Sequence, residues 1–280
     1  ETQVLYKLNR TLVEKIADAV RECGKIMLDA VRTADMVETK EGHANFVTVY
    51  DKKVQETLRK KLLEILPEAV FVGEEDDVHA SIKKGFAFIV DPIDGTTNFI
   101  KDYHVSAISA GLTKDGEKYI GVVYNPYLDE MFTAERGKGA FLNGRPIHVS
   151  RNPLSEGIVL FGTAPYYEEL SKKSFQMAYA YFKKALDVRR SGSAAIDLCS
   201  IAAGRAELYF ELCLSPWDFA AGALIVEEAG GVVQGRGHEH DVALGAPQLS
   251  REDALGEQDV VVGEHGLLRL ARGARGGQDA

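Results

Sequence analysis

The sequence predicts a layered α/β protein in which helix layers and sheet layers alternate. The chain opens with amphipathic helical patterns, continues with short strands separated by tight turns, and from about residue 155 alternates strands with helices. We expect residues 1–150 to form one subdomain, α+β in character, with two helices and a mostly antiparallel sheet. Residues 151–280 are expected to form an α/β subdomain packed against it, because neither a low-complexity linker nor an internal repeat is present.

The first two helices are predicted near residues 6–32 and 52–66, from apolar residues at helical spacing. These residues are Leu8, Leu12, Ile16, Val20, Cys23 and Met27 in the first pattern and Val54, Leu58, Leu62 and Ile65 in the second. Thr48 and Asp51 stand three residues apart before the second pattern, as in a capping box. Asp51 is therefore a candidate helix cap, and a supporting catalytic role for it is equally open.

Short strands are predicted for the middle of the chain. Two apolar runs at 69–72 and 86–90 are typical of buried strands, and Pro92 is expected to end the second. Asp-Gly at 115–116 and Asn-Gly at 143–144 are strong hairpin signals. They separate predicted strands at 105–112, 119–124, 131–134 and 140–142.

The second half alternates strands and helices. The predicted elements are a strand at 158–161, a helix near 165–185, a helix at 194–203, a strand at 207–210 and a helix at 217–229. Pro216 at the start and Gly230 at the end of the last pattern fit helix punctuation.

Residues 91–99, Asp-Pro-Ile-Asp-Gly-Thr-Thr-Asn-Phe, are the most informative segment of the chain. Asp91 and Asp94 stand on a turn directly after a predicted buried strand, and carboxylates in such a place suit Mg²⁺. Gly95 allows the backbone to approach an anion, and Thr96 can begin a short helix whose N–H groups point at it. The alternative is a surface turn. We favour the site, because all nine residues follow a buried strand.

Two further acidic points are candidates for the same site. Glu74 and Glu75 follow the first apolar run, and Asp218 lies in the first turn of the last predicted helix. Each has a simpler explanation, since a run of acids can solvate a loop and an acid in a first turn interacts favourably with the helix dipole.

These three segments together resemble the signatures of a known family. The block at 91–99, Gly-Glu-Glu at 73–75 and Pro-Trp-Asp at 216–218, followed by Ala-Gly and Glu-Ala-Gly-Gly, are similar in order and spacing to those of the inositol monophosphatase family of Mg²⁺-dependent phosphatases. The resemblance covers roughly residues 8 to 234. It implies the alternating α-β-α-β-α layers of the inositol monophosphatase and fructose-1,6-bisphosphatase fold.

The resemblance also implies two or three bound Mg²⁺ ions. Glu74, Asp91 and the backbone carbonyl of Ile93 would hold the first ion, and Asp91, Asp94 and Asp218 would hold the second. Acidic ligands and bound cations together explain how a chain with a net charge of −9 can bind a phosphate dianion.

The remaining implied roles concern the water and the substrate. Glu74 and Thr96 would orient the attacking water, with Asp51 hydrogen-bonded to Thr96. The N–H groups of Gly95 and Thr96 would hold the phosphate. Lys40 would lie near the site, and Asp94, Ala194 and Glu211 would contact the alcohol part of the substrate.

The function hypothesis is hydrolysis of a small phosphate monoester, with myo-inositol 1-phosphate first, by Mg²⁺-activated water and without a phosphoenzyme. Alternatives of the same fold hydrolyse fructose 1,6-bisphosphate, histidinol phosphate or a nucleotide 3′-phosphate. A rival of another class is a regulatory binding protein, because some bacterial members that resemble this chain associate with the transcription machinery. The resemblance further implies a homodimer and inhibition by Li⁺ after phosphate binds.

Composition sets the remaining expectations. A pI near 5.4 without a basic cluster argues against nucleic acid as the main partner, and no run of about 20 apolar residues could span a membrane. Three widely separated cysteines favour free thiols in the cytoplasm. Residues 235–280 differ in composition from the rest, so a less orderly C-terminus is expected, and all implied metal ligands lie upstream of it.

Overall fold

The computed structural model describes residues 11–39, 46–76, 82–165, 167–234 and, for the backbone, 242–245. Within these residues the chain forms six α-helices and two short 3₁₀ turns, at Ala34–Met36 and Leu154–Glu156. The helices, in chain order, are α1 (Leu12–Leu28), α2 (Val49–Ile65), α3 (Thr96–Ile100), α4 (Glu168–Phe182), α5 (Ala194–Ala202) and α6 (Pro216–Glu228).

The described strands form three sheets. Strands β1 (Val37–Thr39) and β2 (Phe46–Thr48) make a small antiparallel pair. The strands of the largest sheet are β3 (Val70–Gly73), β4 (Phe86–Asp94), β5 (Ala107–Lys114), β6 (Glu117–Asn125), β7 (Glu130–Glu135), β8 (Ala140–Leu142) and β9 (Arg145–Ile147). The strands of the third sheet are β10 (Ile158–Phe161), β11 (Asp187–Arg189), β12 (Leu208–Glu211), β13 (Val232–Gln234) and β14 (Val242–Gly245).

The two large sheets differ in strand direction. The seven strands of the first follow chain order, and all pairs are antiparallel except β3 with β4. The second has the order β11-β10-β12-β14-β13, in which β10 is parallel to both of its neighbours. Parallel strands need crossover connections, and α4 and α5 supply them.

Side-chain alternation along the strands divides the core between layers. Phe88 and Val90 of β4 belong to the core that α1 and α2 cover, whereas Leu160 of β10 belongs to the core beneath α5 and α6. Val159 and Phe161 of β10 point the other way, into a third core covered by α4. The order is thus α1/α2, first sheet, α5/α6, second sheet, α4, and the predicted layered α/β class is confirmed.

One helix of the second half packs closely on the sheet of the first half. A Cβ added at Gly121 of β6 would lie 2.5 Å from the carbonyl oxygen of Ala221, and one added at Gly111 of β5 would lie 3.0 Å from Ala220 Cβ. Glycines at these two positions let α6 approach the sheet, which brings the start of α6 to the carboxyl end of β4. The division into subdomains at residue 150 stays a prediction.

The expectation that Pro92 ends its strand was wrong. Strand β4 continues to Asp94, and its pairing with β5 changes register between Asp91, opposite Ser109, and Asp94, opposite Ala107. Two residues of β4, Pro92 and Ile93, thus lie opposite one residue of β5, Ile108, so β4 has one extra residue and forms a bulge that contains Pro92. The bulge turns the end of β4 out of the regular ladder.

Among the described residues, no helix is long and apolar enough to cross a lipid bilayer.

Candidate active site

The bulged end of β4 supplies two buried carboxylates. Asp91 and Asp94 are only 2% and 7% exposed. The Ile93 N–H donates to Asp91 Oδ1 at 3.0 Å, which fixes the Asp91 side chain. Asp91, Ile93 and Asp94 all line one cavity at this end of the sheet. Asp94 Oδ2 accepts from the Ala195 N–H at 2.8 Å and from the Ser193 hydroxyl. The start of α5 therefore holds one oxygen of Asp94.

Gly95 connects β4 to α3 in a conformation that favours glycine. Its φ of 87° lies in the left-handed region, and an added Cβ would lie 2.9 Å from the Val105 carbonyl oxygen. The Ser106 hydroxyl donates to the Gly95 carbonyl at 3.1 Å. This turn places Gly95 and Thr96 in the lining of the cavity, beside the two carboxylates.

Thr96 connects this turn to the start of α2. Its Oγ1 lies 3.2 Å from Asp51 Oδ1 and 3.1 Å from the Ile93 carbonyl oxygen. Asp51 also closes a capping box, since its Oδ2 accepts from the Thr48 N–H at 2.8 Å. Both roles considered for Asp51 are thus compatible with its position. Burial raises its pKa to about 6, against hydrogen bonds from Thr48 that lower it.

Asp218 approaches the carboxylates of β4 from the first turn of α6. Its Oδ2 accepts from the Ser215 N–H at 2.7 Å, so it caps the helix as well. The neighbouring Trp217 carbonyl oxygen accepts from the Ser109 hydroxyl of β5 at 3.3 Å. This contact ties the start of α6 to the sheet next to Asp91.

The three aspartates converge. One carboxylate oxygen from each of Asp91, Asp94 and Asp218 lies within 4.8 Å of the others. Burial raises the pKa of Asp91 well above its usual range, and the charges of Glu74, Asp94 and Asp218 raise it further. The pKa of Asp218 is raised in the same way, by burial and then by Glu74 and Asp94. Like charges at such distances are unfavourable unless a proton or a cation neutralises them.

Glu74 lies outside this triad but borders the same cavity. It directly follows β3, and its N–H donates to the Val90 carbonyl at 3.1 Å, which extends the pairing of β3 with β4. Glu74 is thereby held beside Asp91. Its charge acts on both Asp91 and Asp218, as their raised pKa values indicate.

Glu211, at the end of β12, lines the same cavity as the aspartates and forms a second wall of it. Its Oε2 accepts from the Tyr209 hydroxyl at 2.6 Å and its Oε1 from the Ala164 N–H at 3.1 Å. Burial raises its pKa, and these two hydrogen bonds oppose the shift. An added Cβ at Gly162 would lie 1.9 Å from the Glu211 carboxyl carbon, so only glycine leaves room for this side chain. Ala194 borders the same wall.

A cavity of about 240 Å³ joins these groups. Its lining includes Glu74, Asp91, Ile93, Asp94, Gly95, Thr96, Ala194, Glu211 and Asp218. Asp51 reaches it through Thr96. Lys40 lies outside the described residues. Glu75, the other acidic candidate, does not line the cavity, and its N–H donates to Gln55. The remaining residues that the sequence suggested for the site are brought to one place.

Among the lining residues that the sequence did not single out, three have polar or charged side chains. Ser193 holds Asp94, Asp197 is a buried acid in α5 whose pKa burial raises well above its usual range, and Arg190 donates to Thr163 Oγ1 at 3.3 Å. One signal for Asp197 was present, since it is a lone charge inside the apolar run of α5. Arg190 is exposed and contributes the one cationic side chain among the described lining residues.

Comparison with known sequences gives one family and a consistent set of relatives. The sequence model of the inositol monophosphatase family matches residues 9–271. "Nus factor SuhB" of Vibrio cholerae is 38% identical over 217 residues, which cover 77% of this chain and 81% of that protein. "Inositol monophosphatase 2" of Solanum lycopersicum is 38% identical over 229 residues, which cover 79% of this chain and 86% of that protein.

Solved structures of proteins with related names are similar to this chain. The extragenic suppressor protein SuhB of Bartonella henselae superposes with a TM-score of 0.76 at 31% identity, covering 83% of this chain and 93% of that one. The IMPase of Thermotoga maritima gives a TM-score of 0.75 at 30% identity, covering 82% and 89%.

Proposed function

The chain belongs to the inositol monophosphatase family, and we propose that it hydrolyses a small phosphate monoester with metal-activated water. The observation that carries the proposal is the convergence of Asp91, Asp94 and Asp218 within 4.8 Å, beside the turn formed by Gly95 and Thr96. Two of the three carboxylates are buried, and like charges so close together are unfavourable, so the cluster favours a cation that would neutralise them.

The donor set fits Mg²⁺, on which the family generally depends. The donors are carboxylate oxygens together with the Ile93 carbonyl, and hard oxygen ligands suit Mg²⁺. Glu74, Asp91 and Ile93 would hold one ion, and Asp91, Asp94 and Asp218 would hold a second. A third ion is part of the proposal without assigned ligands. When bound, Mg²⁺ supplies positive charge that activates water and neutralises the departing alkoxide.

On the water side, Thr96 and Glu74 act as acceptors. The Thr96 hydroxyl proton is directed to Asp51 Oδ1 or to the Ile93 carbonyl, both about equally near, which leaves lone pairs of Thr96 Oγ1 free to accept from water. A Glu74 carboxylate oxygen accepts the other water proton. Two fixed acceptors direct the water's lone pair at phosphorus, which is the positioning that such a reaction requires.

On the phosphate side, the N–H groups of Gly95 and Thr96 would donate to the phosphate oxygens, and Lys40 would add a positive charge. On the alcohol side, Asp94, Ala194 and Glu211 would contact the leaving group. Carboxylates accept hydrogen bonds from hydroxyls, so this wall suits a polyol such as inositol better than an apolar alcohol. Asp197 and Glu211 outnumber Arg190 in the described lining, which disfavours a second phosphate there.

We therefore place myo-inositol 1-phosphate before fructose 1,6-bisphosphate, histidinol phosphate and nucleotide 3′-phosphates. Phosphate release from myo-inositol 1-phosphate, fructose 1,6-bisphosphate, histidinol phosphate and adenosine 3′,5′-bisphosphate, each with Mg²⁺ and with EDTA, tests this order. The expected result is Mg²⁺-dependent release, greatest with the inositol ester. A folded protein that releases phosphate from none of the four overturns the proposal.

A second candidate function rests on the names of relatives. Several proteins 37–38% identical to this chain are named Nus factor SuhB, so the expectation that nucleic acid is not a partner is unsupported. Under this proposal the chain binds the transcription machinery, with or without hydrolysis. Capture of bacterial RNA polymerase by the wild-type chain and equally by Asp91→Asn would support it, and no capture by either would exclude it.

Three further properties follow from family membership as proposals. A homodimer predicts twice the chain mass in light scattering. Li⁺ sensitivity predicts inhibition that strengthens as substrate concentration rises, because Li⁺ would bind after phosphate. A cytoplasmic location predicts that a tagged chain fractionates with cytoplasmic markers.

A further inference from the structure

Helix α2 presents three polar side chains along one face towards the site. Asp51, Gln55 and Arg59 follow one another at intervals of four residues, so they project from the same side of the helix. Asp51 reaches Thr96, as described above. Gln55 and Arg59 reach the turn that carries Glu74.

The Gln55 amide contacts this turn at two points. Gln55 is buried, with 3% of its surface exposed. Its Oε1 accepts from the Glu75 N–H at 3.0 Å, and its Nε2 donates to Asp76 Oδ1 at 3.1 Å. The backbone of Gly73 lies against the same amide, since an added Cβ would be 2.2 Å from Gln55 Oε1.

Asp76 closes the turn from the other end. Its Oδ2 accepts from the Gly73 N–H at 3.0 Å, and the Asp76 N–H donates to the Gly73 carbonyl at 3.3 Å. Arg59 forms an ion pair with Asp76, and its guanidinium lies 4.3 Å from the centre of the Phe71 ring. The residues before and after Glu74 are thus both fixed to α2.

We propose that Gln55, acting with Asp76, is a positioning residue that sets the direction of the Glu74 carboxylate towards Asp91 and the water. This inference rests on the proposed function, because the role of Glu74 belongs to it. One helix then aligns both acceptors for the water: Asp51 orients Thr96, and Gln55 orients Glu74. Partners that orient metal ligands commonly contribute 10–100-fold to affinity or activity, so we expect about tenfold here.

The test exchanges the polarity of one hydrogen bond. In Gln55→Glu, a carboxylate oxygen replaces Nε2 and faces Asp76 Oδ1, so a hydrogen bond becomes a repulsion. In the double variant Gln55→Glu with Asp76→Asn, the new amide can donate to the new carboxylate. Arg59, which pairs with Asp76 Oδ1 in the wild type, can then pair with the carboxylate at position 55, one helical turn away. Glu75 and Gly73 then keep their acceptors, and the net charge equals that of the wild type.

Two readouts are needed. The first is the Mg²⁺ concentration at half-saturation, followed by the fluorescence of Trp217, the one tryptophan of the chain and the neighbour of Asp218, which requires no turnover. The second is kcat with the best substrate. Lys60→Gln is the matched control, because Lys60 is exposed on the same helix and its loss changes the net charge by the same amount as Gln55→Glu.

We expect Gln55→Glu to raise the Mg²⁺ half-saturation and lower kcat by about tenfold each, the double variant to recover both to within about threefold, and Lys60→Gln to match the wild type. If Gln55→Glu does not fold, Asp76→Asn alone replaces it in the comparison. Unchanged values in the single variant, or a folded double variant that recovers neither, overturn the inference. Failure of the proposed function would appear differently, as a wild type that releases no phosphate, and the fluorescence titration would still decide the role of Gln55.

Discussion

The two walls of the cavity differ in what surrounds their carboxylates. On the wall formed by β4 and the start of α6, Asp91 and Asp218 face each other and Glu74, so their charges add to the effect of burial. On the wall formed by β12 and α5, Glu211 has its own donors in Tyr209 and Ala164. The first wall is suited to a cation, whereas each Glu211 oxygen already accepts one hydrogen bond and keeps a lone pair for a substrate hydroxyl.

Asp94 belongs to both walls. One of its oxygens is held by Ser193 and Ala195 of the second wall, while its carboxylate lies within 4.8 Å of Asp91 and Asp218 in the first. The pKa of Asp94 reflects both settings, since burial raises it to about 6 while the donors from Ser193 and Ala195 oppose the rise. Substitutions in the two walls should therefore separate metal use from substrate recognition.

The largest effect is expected from Asp91→Asn. The loss of a charge shared by both proposed ions should remove several kcal/mol of transition-state stabilisation, on the order of 10³-fold in kcat. Without metal, the same variant should melt at a higher temperature than the wild type, because a buried like charge is gone. Thermal melting in EDTA and phosphate release with Mg²⁺ measure the two effects. Asp187→Asn, on the half-exposed strand β11, should change neither.

The metal-free protein should become less stable as pH rises from about 4 to 6. The pKa of Asp51 is about 6 in the folded chain and 3.8 as a free side chain, so the folded state binds the proton more tightly in this window. Stability is then greatest below the lower pKa and decreases by about 3 kcal/mol as pH passes the upper one. Urea unfolding in EDTA at pH 4 and pH 7 measures the difference. Asp51→Asn should reduce this difference in the free energy of unfolding. A variant with the same difference between pH 4 and pH 7 as the wild type would contradict the account.

Asp94→Asn should lower kcat at saturating Mg²⁺ by about 100-fold, with a smaller change in KM. The amide keeps the shape and an acceptor for the Ser193 hydroxyl but loses the charge offered to the second proposed ion. Steady-state kinetics at several Mg²⁺ concentrations separate the two parameters. An unaltered kcat would rule out Asp94 as a ligand in the reaction.

Glu211→Gln should have the smallest effect and should act mainly on KM. The change keeps an acceptor for Ala164 or Tyr209 but weakens the hydrogen bond to a substrate hydroxyl, at a cost of about 1.4 kcal/mol, or tenfold. Comparison of KM for myo-inositol 1-phosphate with KM for a phosphate ester of a simple alcohol measures it. Equal changes in KM for both esters would show that Glu211 does not bind the hydroxyl groups of the substrate.

More of the first wall than of the second could be predicted from the sequence, since Glu211 and Ala194 were the only members of the second wall that the family resemblance named. Asp91 and Asp94 belong to one turn after one strand, so the local pattern places both. Glu74 follows a strand and Asp218 begins a helix, and the family resemblance, not the local pattern, assigned them to the site. Pro92 misled the prediction because a bulge accommodates a proline that a regular ladder would exclude. Arg190 and Ser193 reach the cavity from the segment that precedes α5, and no local pattern records their contact with it. For Asp197 the one local signal was its charge inside an apolar helix.

The most direct test of the account is phosphate release from myo-inositol 1-phosphate by EDTA-treated wild-type protein as Mg²⁺ is added back. The account predicts no release at the start and a rise to saturation, which Asp91→Asn fails to reproduce at any Mg²⁺ concentration. Release that persists in EDTA, or an Asp91→Asn variant with the wild-type Mg²⁺ dependence, would contradict the claim that the convergent aspartates are the metal site of a phosphatase.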